Sequence, residues 1–540
     1  MKFRFSGILA ALIAAAGLSS CVGIDRQLGE SYLATDQKYD IYTTEFALDD
    51  IEMQCPDSLS GYSVYRFSVG AIRDPQFGLT TRSAAFTLVP VVDTIDYGKN
   101  AKFKSFHFAA PSDSCSCDDM TQLRILQNIH VYALEKELAI NSEPEIVYSG
   151  QRITKGVPVC NGTDSLSFNF TEEFGEKYMH ITQADLDDIG TYRKNFPGIY
   201  ITTDAPAGNG GRINMFQVPI DVSGGAIYGS YAVLNFSADY GERTQVDTSF
   251  YFYIGPLEKY DMAGVTTTSV NTYPQVAYGI ATHESKNLEG KASGTIWFEG
   301  GRGLKPVVKA KSIKDKLSAI VSQHGSVADI VVSKATIEMP FEFPENYQDI
   351  RLFPSTLSPT CRIVTDTSVT FAGITDASIS SENQGTINRS TCVYAPDLSH
   401  HIQALLRLKD ESEIENYDIW LFGMADEQVT SGNTSADSEL SDYYQQLAYA
   451  SYYNSLYGYN GYGGYGGYGY GGYGGYGSYY GNYYNYYNYM MMADMYSDNN
   501  TSTSTQSIMD FHRFYRAKLN GPASDNGPRL RVTYAVPATE

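Results

Sequence analysis

The sequence predicts an all-β protein made of two jelly-roll-like β-sandwich domains with a few short helices. Short runs rich in Val, Ile, Thr, Tyr and Phe recur along the chain, and the run at 62–70 alternates in polarity. Gly, Pro, Asp and Asn separate these runs. Only three stretches carry helix signals, and each is short. With 540 residues and 43% hydrophobic composition, the chain can fill roughly two or three cores.

In order, strands are expected at 62–70, 82–91, 102–108, 129–134, 146–148 and 166–170. A helix is expected at 182–193, where Thr182 is a cap and Asp185, Asp187 and Asp188 make an acidic first turn. Strands at 198–203, 212–219, 229–236 and 248–254 complete a first β domain, 41–261. The glycines at 208–211 read as a hairpin turn. The second domain, 262–540, is expected to hold strands at 293–299, 305–310, 334–343, 362–371, 417–424, 511–518 and 529–536. Its helices are expected at 312–322 and 398–408.

The N-terminus reads as a leader. Lys2 and Arg4 precede an apolar run at 8–17, which is shorter than the roughly 20 residues needed to span a bilayer. Leu-Ser-Ser then leads to Cys21, the lipobox form of a secretory signal. Residues 1–20 would be removed and Cys21 would carry lipid, the alternative being an ordinary signal with an incidental Cys. Residues 21–40 then form a polar tether. Few acidic residues follow Cys21, which weakens the case for export to the outer face and leaves the membrane face open.

The formal charge is −22, and losing Lys2 and Arg4 makes the chain more acidic still. That balance argues against a nucleic-acid partner, since phosphate binding needs a basic surface. In an oxidising compartment, Cys55, Cys115, Cys117, Cys160, Cys361 and Cys392 are disulfide candidates. Cys361 and Cys392 stand apart from the rest, so a bridge between them is the first expectation, with the other four pairing among themselves. Cys115 and Cys117 are too close in sequence to favour an internal bridge. Their spacing is not that of a zinc knuckle.

No charged residue lies between Asp442 and Asp494. Almost half of the 45 tyrosines fall between Tyr443 and Tyr496, spaced by Gly. This composition has no apolar period, so 441–505 reads as a disordered insertion joining two strands of the second domain. Its Tyr459, Tyr462, Tyr465, Tyr468, Tyr470, Tyr473 and Tyr476 are candidate partner contacts, because Tyr offers broad amphipathic area with few rotatable bonds. The alternative is a low-complexity expansion with no partner.

Catalytic signatures are lacking. There is no His-Glu-x-x-His, no Gly-x-Ser-x-Gly and no phosphate-cradling Gly-Lys-Ser/Thr loop. His400 and His401 are adjacent, hence about 100° apart on a helix and poorly placed to share a metal; a surface or helix-end role is expected. Glu172–Glu173 and Asp187–Asp188 are carboxylate pairs in a chain with 61 acidic residues, where such pairs arise freely. Trp297 and Trp420 are expected in the core. Asp57-Ser58-Leu59, Asp93-Thr94-Ile95 and Asp164-Ser165-Leu166 fit a short O-glycosylation pattern, with turn roles as the alternative. Neither a cofactor nor a metal is expected.

Three segments resemble one family of Bacteroidota lipoproteins, the domain of unknown function 4270. They are residues 68–78 (Ser-Val-Gly-Ala-Ile-Arg-Asp-Pro-Gln-Phe-Gly), residues 196–201 (Phe-Pro-Gly-Ile-Tyr-Ile) with the glycines at 208–211, and residues 528–534 (Pro-Arg-Leu-Arg-Val-Thr-Tyr). The resemblance spans about residues 21–536 apart from the Tyr/Gly insert. It implies an outer-membrane lipoprotein and supplies no catalytic residues. A more distant likeness to carbohydrate-binding jelly-roll modules lies in 397–406, 418–422 and 530–534, with a looser copy at 181–202. The expectation is a non-enzymatic outer-membrane lipoprotein, binding or structural partner of an envelope protein complex. The alternatives are a glycan-binding surface protein and a hydrolase.

Overall fold

The computed structural model describes residues 39–538, except 58, 60, 64–65, 93, 139–143, 219, 224–225, 255–256, 263–264, 267–276, 365–368, 375, 377–382 and 433–500. Cys21, the tether and the seven tyrosines from Tyr459 to Tyr476 therefore lie outside the described residues. The fold is all-β: several antiparallel sheets stack in sandwich-like layers, with a few short helices. One pair, Ile220–Ser223 with Leu257–Met262, is parallel.

Two large cores sit between sheets. The first is rich in aromatic rings, with Phe67, Phe86, Phe106, Phe108, Phe170 and Phe252 all fully buried. They come from alternate positions of strands such as Arg66–Asp74, Gly78–Phe86, Lys99–Ala110 and Arg243–Tyr253, as period-two alternation requires. The second core is mainly aliphatic. Ile313, Leu317 and Val321 line one side of helix Ala310–Val321, and Ile402, Leu405 and Leu406 one side of helix Ser399–Arg407. Both stripes follow helical spacing and pack with Ile337, Leu421, Leu530 and Tyr534 from the strands.

Chain order and sheet order part company at both ends of the first half. Tyr39–Ala47 pairs along its whole length with Arg529–Pro537, and Ile51–Gln54 pairs with Lys305–Val308. The residues just past 41 thus belong to the sheets around the aliphatic core. Conversely, Ala277–His283 pairs with Gly78–Phe86 and Tyr62–Ser63. A cut at 261/262 separates strands that share hydrogen bonds, because pairing over more than 200 residues leaves no trace in local composition.

Four local expectations are corrected. The helix at 182–193 is two helices, Gln183–Asp187 and Ile189–Asn195. Thr182 caps the first through a reciprocal capping box with Asp185, and Asp188 then leaves helical geometry to cap the second. The run at 362–371 straddles a hairpin, Thr356–Val364 with Val369–Gly373. The glycines at 208–211 do not turn a hairpin, for Ile199–Thr203 and Gly210–Gln217 are not neighbours in the sheet. Gly211 is needed for close approach: it holds φ +108°, and a Cβ there would stand 2.2 Å from the Ala71 carbonyl oxygen. Finally, the insertion reads as ending at 505, but strand Thr501–Met509 begins before that and pairs with Ile419–Gly432. An unforeseen helix, Glu172–Tyr178, is capped by Thr171 and sends Phe174 and Tyr178 into the aromatic core.

The register Gly432↔Thr501 closes the stem from which the Tyr/Gly tract extends. Loop closure costs only slightly more with length, so removing residues 456–489 should leave the melting temperature within about 5 °C of the parent. A larger drop in a thermal melt would show the tract to be part of the packing.

Candidate functional site

Strand Gln127–Leu134 alternates from Asn128 to Tyr132. Ile129 and Val131 are buried, while Asn128, His130 and Tyr132 occupy the opposite face. Register then brings the neighbours alongside: Tyr132 opposes Tyr200 and Arg152, and His130 opposes Thr202. Tyr132, Tyr148 and Tyr200 form one ring cluster across three adjacent strands. Their centroids lie 5.1, 4.7 and 6.4 Å apart, and no two rings are inclined by more than 41°. Tyr148 is the outermost, 44% exposed.

At the other end of the same face lies a polar site. His130 Nε2 is 2.8 Å from Asp204 Oδ1, and Asn128 Nδ2 donates to Asp204 Oδ2 at 3.1 Å. These two hydrogen bonds hold the Asp204 carboxyl below its ordinary range, with His130 the larger cause. Asp204, Asn128, Gln122, Gln127 and Thr203 also line a cleft of about 210 Å³, together with Ile125 and Leu126. The cleft thus offers amide, hydroxyl and carboxylate groups beside apolar carbon.

The floor of this cleft is set by Arg212, 1% exposed. Its guanidinium donates to Asn214 Oδ1 at 2.7 Å and to the carbonyls of Gln122, Leu123, Ile125 and Cys160 at 2.6 to 3.1 Å. All five acceptors are neutral, and they tie the 120–126 turn to the sheet.

The densest group of buried charge lies elsewhere, where the two halves meet. Glu299, fully buried, accepts hydrogen bonds from Ser285, Thr80 and His283. Arg82 donates to His283 Nε2 at 3.0 Å. Arginine can only donate, so His283 accepts at Nε2 and gives its Nδ1 proton to Glu299. Both ring nitrogens are committed, and Ser285 faces the carboxylate instead of the imidazole. The trio is not a nucleophile–base array. Lys305 donates to the carbonyls of Glu299 and Gly303 and lies over the Phe298 and Phe422 rings; burial pushes its amine down to about 7. This is an internal ion network joining strand Gly78–Phe86 to strand Thr295–Glu299.

The residues singled out in the sequence are dispersed. Glu172, Glu173, Asp187 and Asp188 are exposed at helix ends, with Asp188 acting as a cap. His400 bonds Asp376 at 2.9 Å at the start of its helix, as expected of a helix end. His401 is instead fully buried and bonds the Tyr417 carbonyl, and burial lowers its pKa. Trp420 is buried in a small cluster with Phe371 and Phe422; Trp297 is half-buried against the aliphatic core. Ser165 is exposed ahead of strand Leu166–Asn169.

All six described cysteines are free thiols, which corrects the disulfide expectation. Cys361 points into the core with Sγ 3.9 Å from His401 Nδ1, while Cys392 sits in the 388–393 turn with Sγ against the Arg389 carbonyl. Cys55 packs on the aliphatic core, where burial and Glu289 raise its thiol to about 12. Cys115, Cys117 and Cys160 converge on Arg212.

Sequence reasoning missed Tyr132, Tyr148 and Tyr200. The alternation of 128, 130 and 132 was readable, but the register that joins three strands was not. Compared with protein-family models, curated proteins and solved structures, the chain has no match.

Proposed function

We propose that the protein is a non-enzymatic, lipid-anchored binding protein of the outer membrane, and that its ligand is a glycan held along the Tyr132, Tyr148 and Tyr200 face and the adjoining cleft. The ring cluster carries this reading. Aromatic rings offer apolar faces to the C–H surfaces of sugars, and the Asp204, Asn128 and His130 group supplies the fixed donors and acceptors that a hydroxyl-rich ligand needs. The lipobox at Cys21 and the resemblance to outer-membrane lipoproteins support the location. An envelope protein partner is the second reading; it rests on the tyrosines of the 441–505 tract.

Affinity electrophoresis through gels containing laminarin, xylan, mannan or pullulan tests the ligand class. Retardation by one of these polymers is expected. Tyr148→Ala or Tyr200→Ala should weaken it about tenfold, equivalent to about 1.4 kcal/mol. Retardation unchanged by both substitutions would place the site elsewhere. For the anchor, Cys21→Ala should move the protein from the outer-membrane fraction to the soluble one. Unaltered fractionation, with lipid labelling as control, would remove the anchor from the proposal.

A further inference from the structure

Cys115 and Cys117 sit two residues apart on strand Ser112–Cys117, which closes one side of its sheet. Alternation puts both thiols on one face, in register with Asn214 and Arg212 respectively. The two thiols hydrogen-bond each other. Cys117 is 2% exposed, whereas Cys115 is half-buried and is the more accessible of the two. Arg212 closes in from the side: a Cβ placed on Gly162 would stand 2.9 Å from both Cys115 Sγ and Arg212 Cδ. The guanidinium is bonded only to neutral groups, so its charge is free to act on a thiolate.

From this arrangement we infer that Cys115 and Cys117 form a thiol–disulfide exchange site, with Cys115 as the attacking sulfur and Cys117 as the resolving one. The hydrogen bond from Cys117, with help from Arg212, holds the Cys115 thiol below the ordinary cysteine range, while the same contact raises Cys117. The oxidant is a disulfide, either a low-molecular-weight one or that of an oxidoreductase. The Cys115 thiolate attacks one of its sulfurs, forming a mixed disulfide and releasing the first thiolate. Cys117 then attacks Cys115 Sγ and gives up its proton to the departing sulfur. The chain gains a Cys115–Cys117 disulfide, and the oxidant leaves as two reduced thiols. Two residues on an extended strand have Cα atoms about 6.6 Å apart, near the far limit of roughly 6.8 Å that a disulfide spans. Such a bond is easily reduced again, which suits exchange and not structural bridging. The inference stands independently of the glycan reading.

Incubation of the intact chain with oxidised glutathione, followed by peptide mapping, tests it. A Cys115–Cys117 link should accumulate, with Cys160 remaining free. Cys117→Ser should stop the reaction at glutathionyl-Cys115. Iodoacetamide should alkylate Cys115 about tenfold faster than Cys392 at pH 7, with the Cys115 rate reaching its midpoint at about 7. Three results would overturn the inference: Cys115 inert in the native chain, a glutathionyl adduct persisting in the unaltered chain, or a link from Cys115 to Cys160. The unaltered chain decides the matter if Cys117→Ser fails to fold.

Discussion

Replacing Glu299 with Ala should be the most damaging single change in the molecule. The carboxylate is fully buried and is the common acceptor for Ser285, Thr80 and His283. Its removal leaves those donors unpaired and strips Arg82 and Lys305 of their nearest negative charge. Breaking one side of a buried ion network costs about 3–5 kcal/mol, which corresponds to a melting drop of roughly 10 °C for units of this size. Thr80 and Arg82 belong to a strand of the aromatic-core sheet, while Glu299 pairs into the other half. The variant should therefore also melt in two separated steps where the parent melts in one. Calorimetry reads both effects. A shift under about 2 °C with one transition would mean that the network does not couple the halves.

The second large effect is acid lability. His401 is fully buried and His283 and His512 are partly buried, and desolvation lowers each pKa below 6.5, to about 3 for His512, where Arg66 adds to the cause. The unfolded chain takes up protons near pH 6.5 that the folded chain refuses. Their contribution to stability is complete above pH 6.5 and declines as the pH falls, by about 1.4 kcal/mol per unit for each histidine that remains neutral. Glu299 has the same sign. Desolvation opposes ionisation, but His283 and the hydroxyl donors overcome it and bring the carboxyl down to about 2. Its share is complete above about pH 4.5 and falls away between there and 2, steepening the loss. Lys305, lowered to about 7, adds a further rise in stability from pH 7 towards its unfolded value near 10.5. Urea midpoints should thus climb from pH 4 to 7. His512→Gln should flatten the slope, and a level profile in the parent would contradict the buried neutral histidines.

How much of this was written locally is clear from particular residues. Strand periods at 102–108 and 529–536 lie within the observed strands Lys99–Ala110 and Arg529–Pro537, because one face of each is buried and the other is not. Thr182 declared itself as a cap through the Asp three residues on. The partner of Tyr39–Ala47 did not, since it lies almost 500 residues away and no local rule encodes that register. The same limit hid the ring cluster: Tyr132 and Tyr148 occupy ordinary outward positions, Tyr200 packs on the small cluster of Ala85, Leu134 and Leu138, and only the pairing of three strands brings the rings together. Cys115 and Cys117 were legible as close neighbours, read as too near to bridge each other, and the cation beside them arrives from Gly210–Gln217, nearly a hundred residues later.

The glycan face is tested most directly by an array of immobilised oligosaccharides probed with the chain lacking residues 1–21, beside the double variant Tyr148→Ala/Tyr200→Ala. Melting curves confirm that both are folded. The expected result is a set of structurally related oligosaccharides bound by the parent and lost by the double variant, with Asp204→Asn weakening the same set. No bound oligosaccharide, or one retained equally by the double variant, would contradict the proposal that this face is the ligand site.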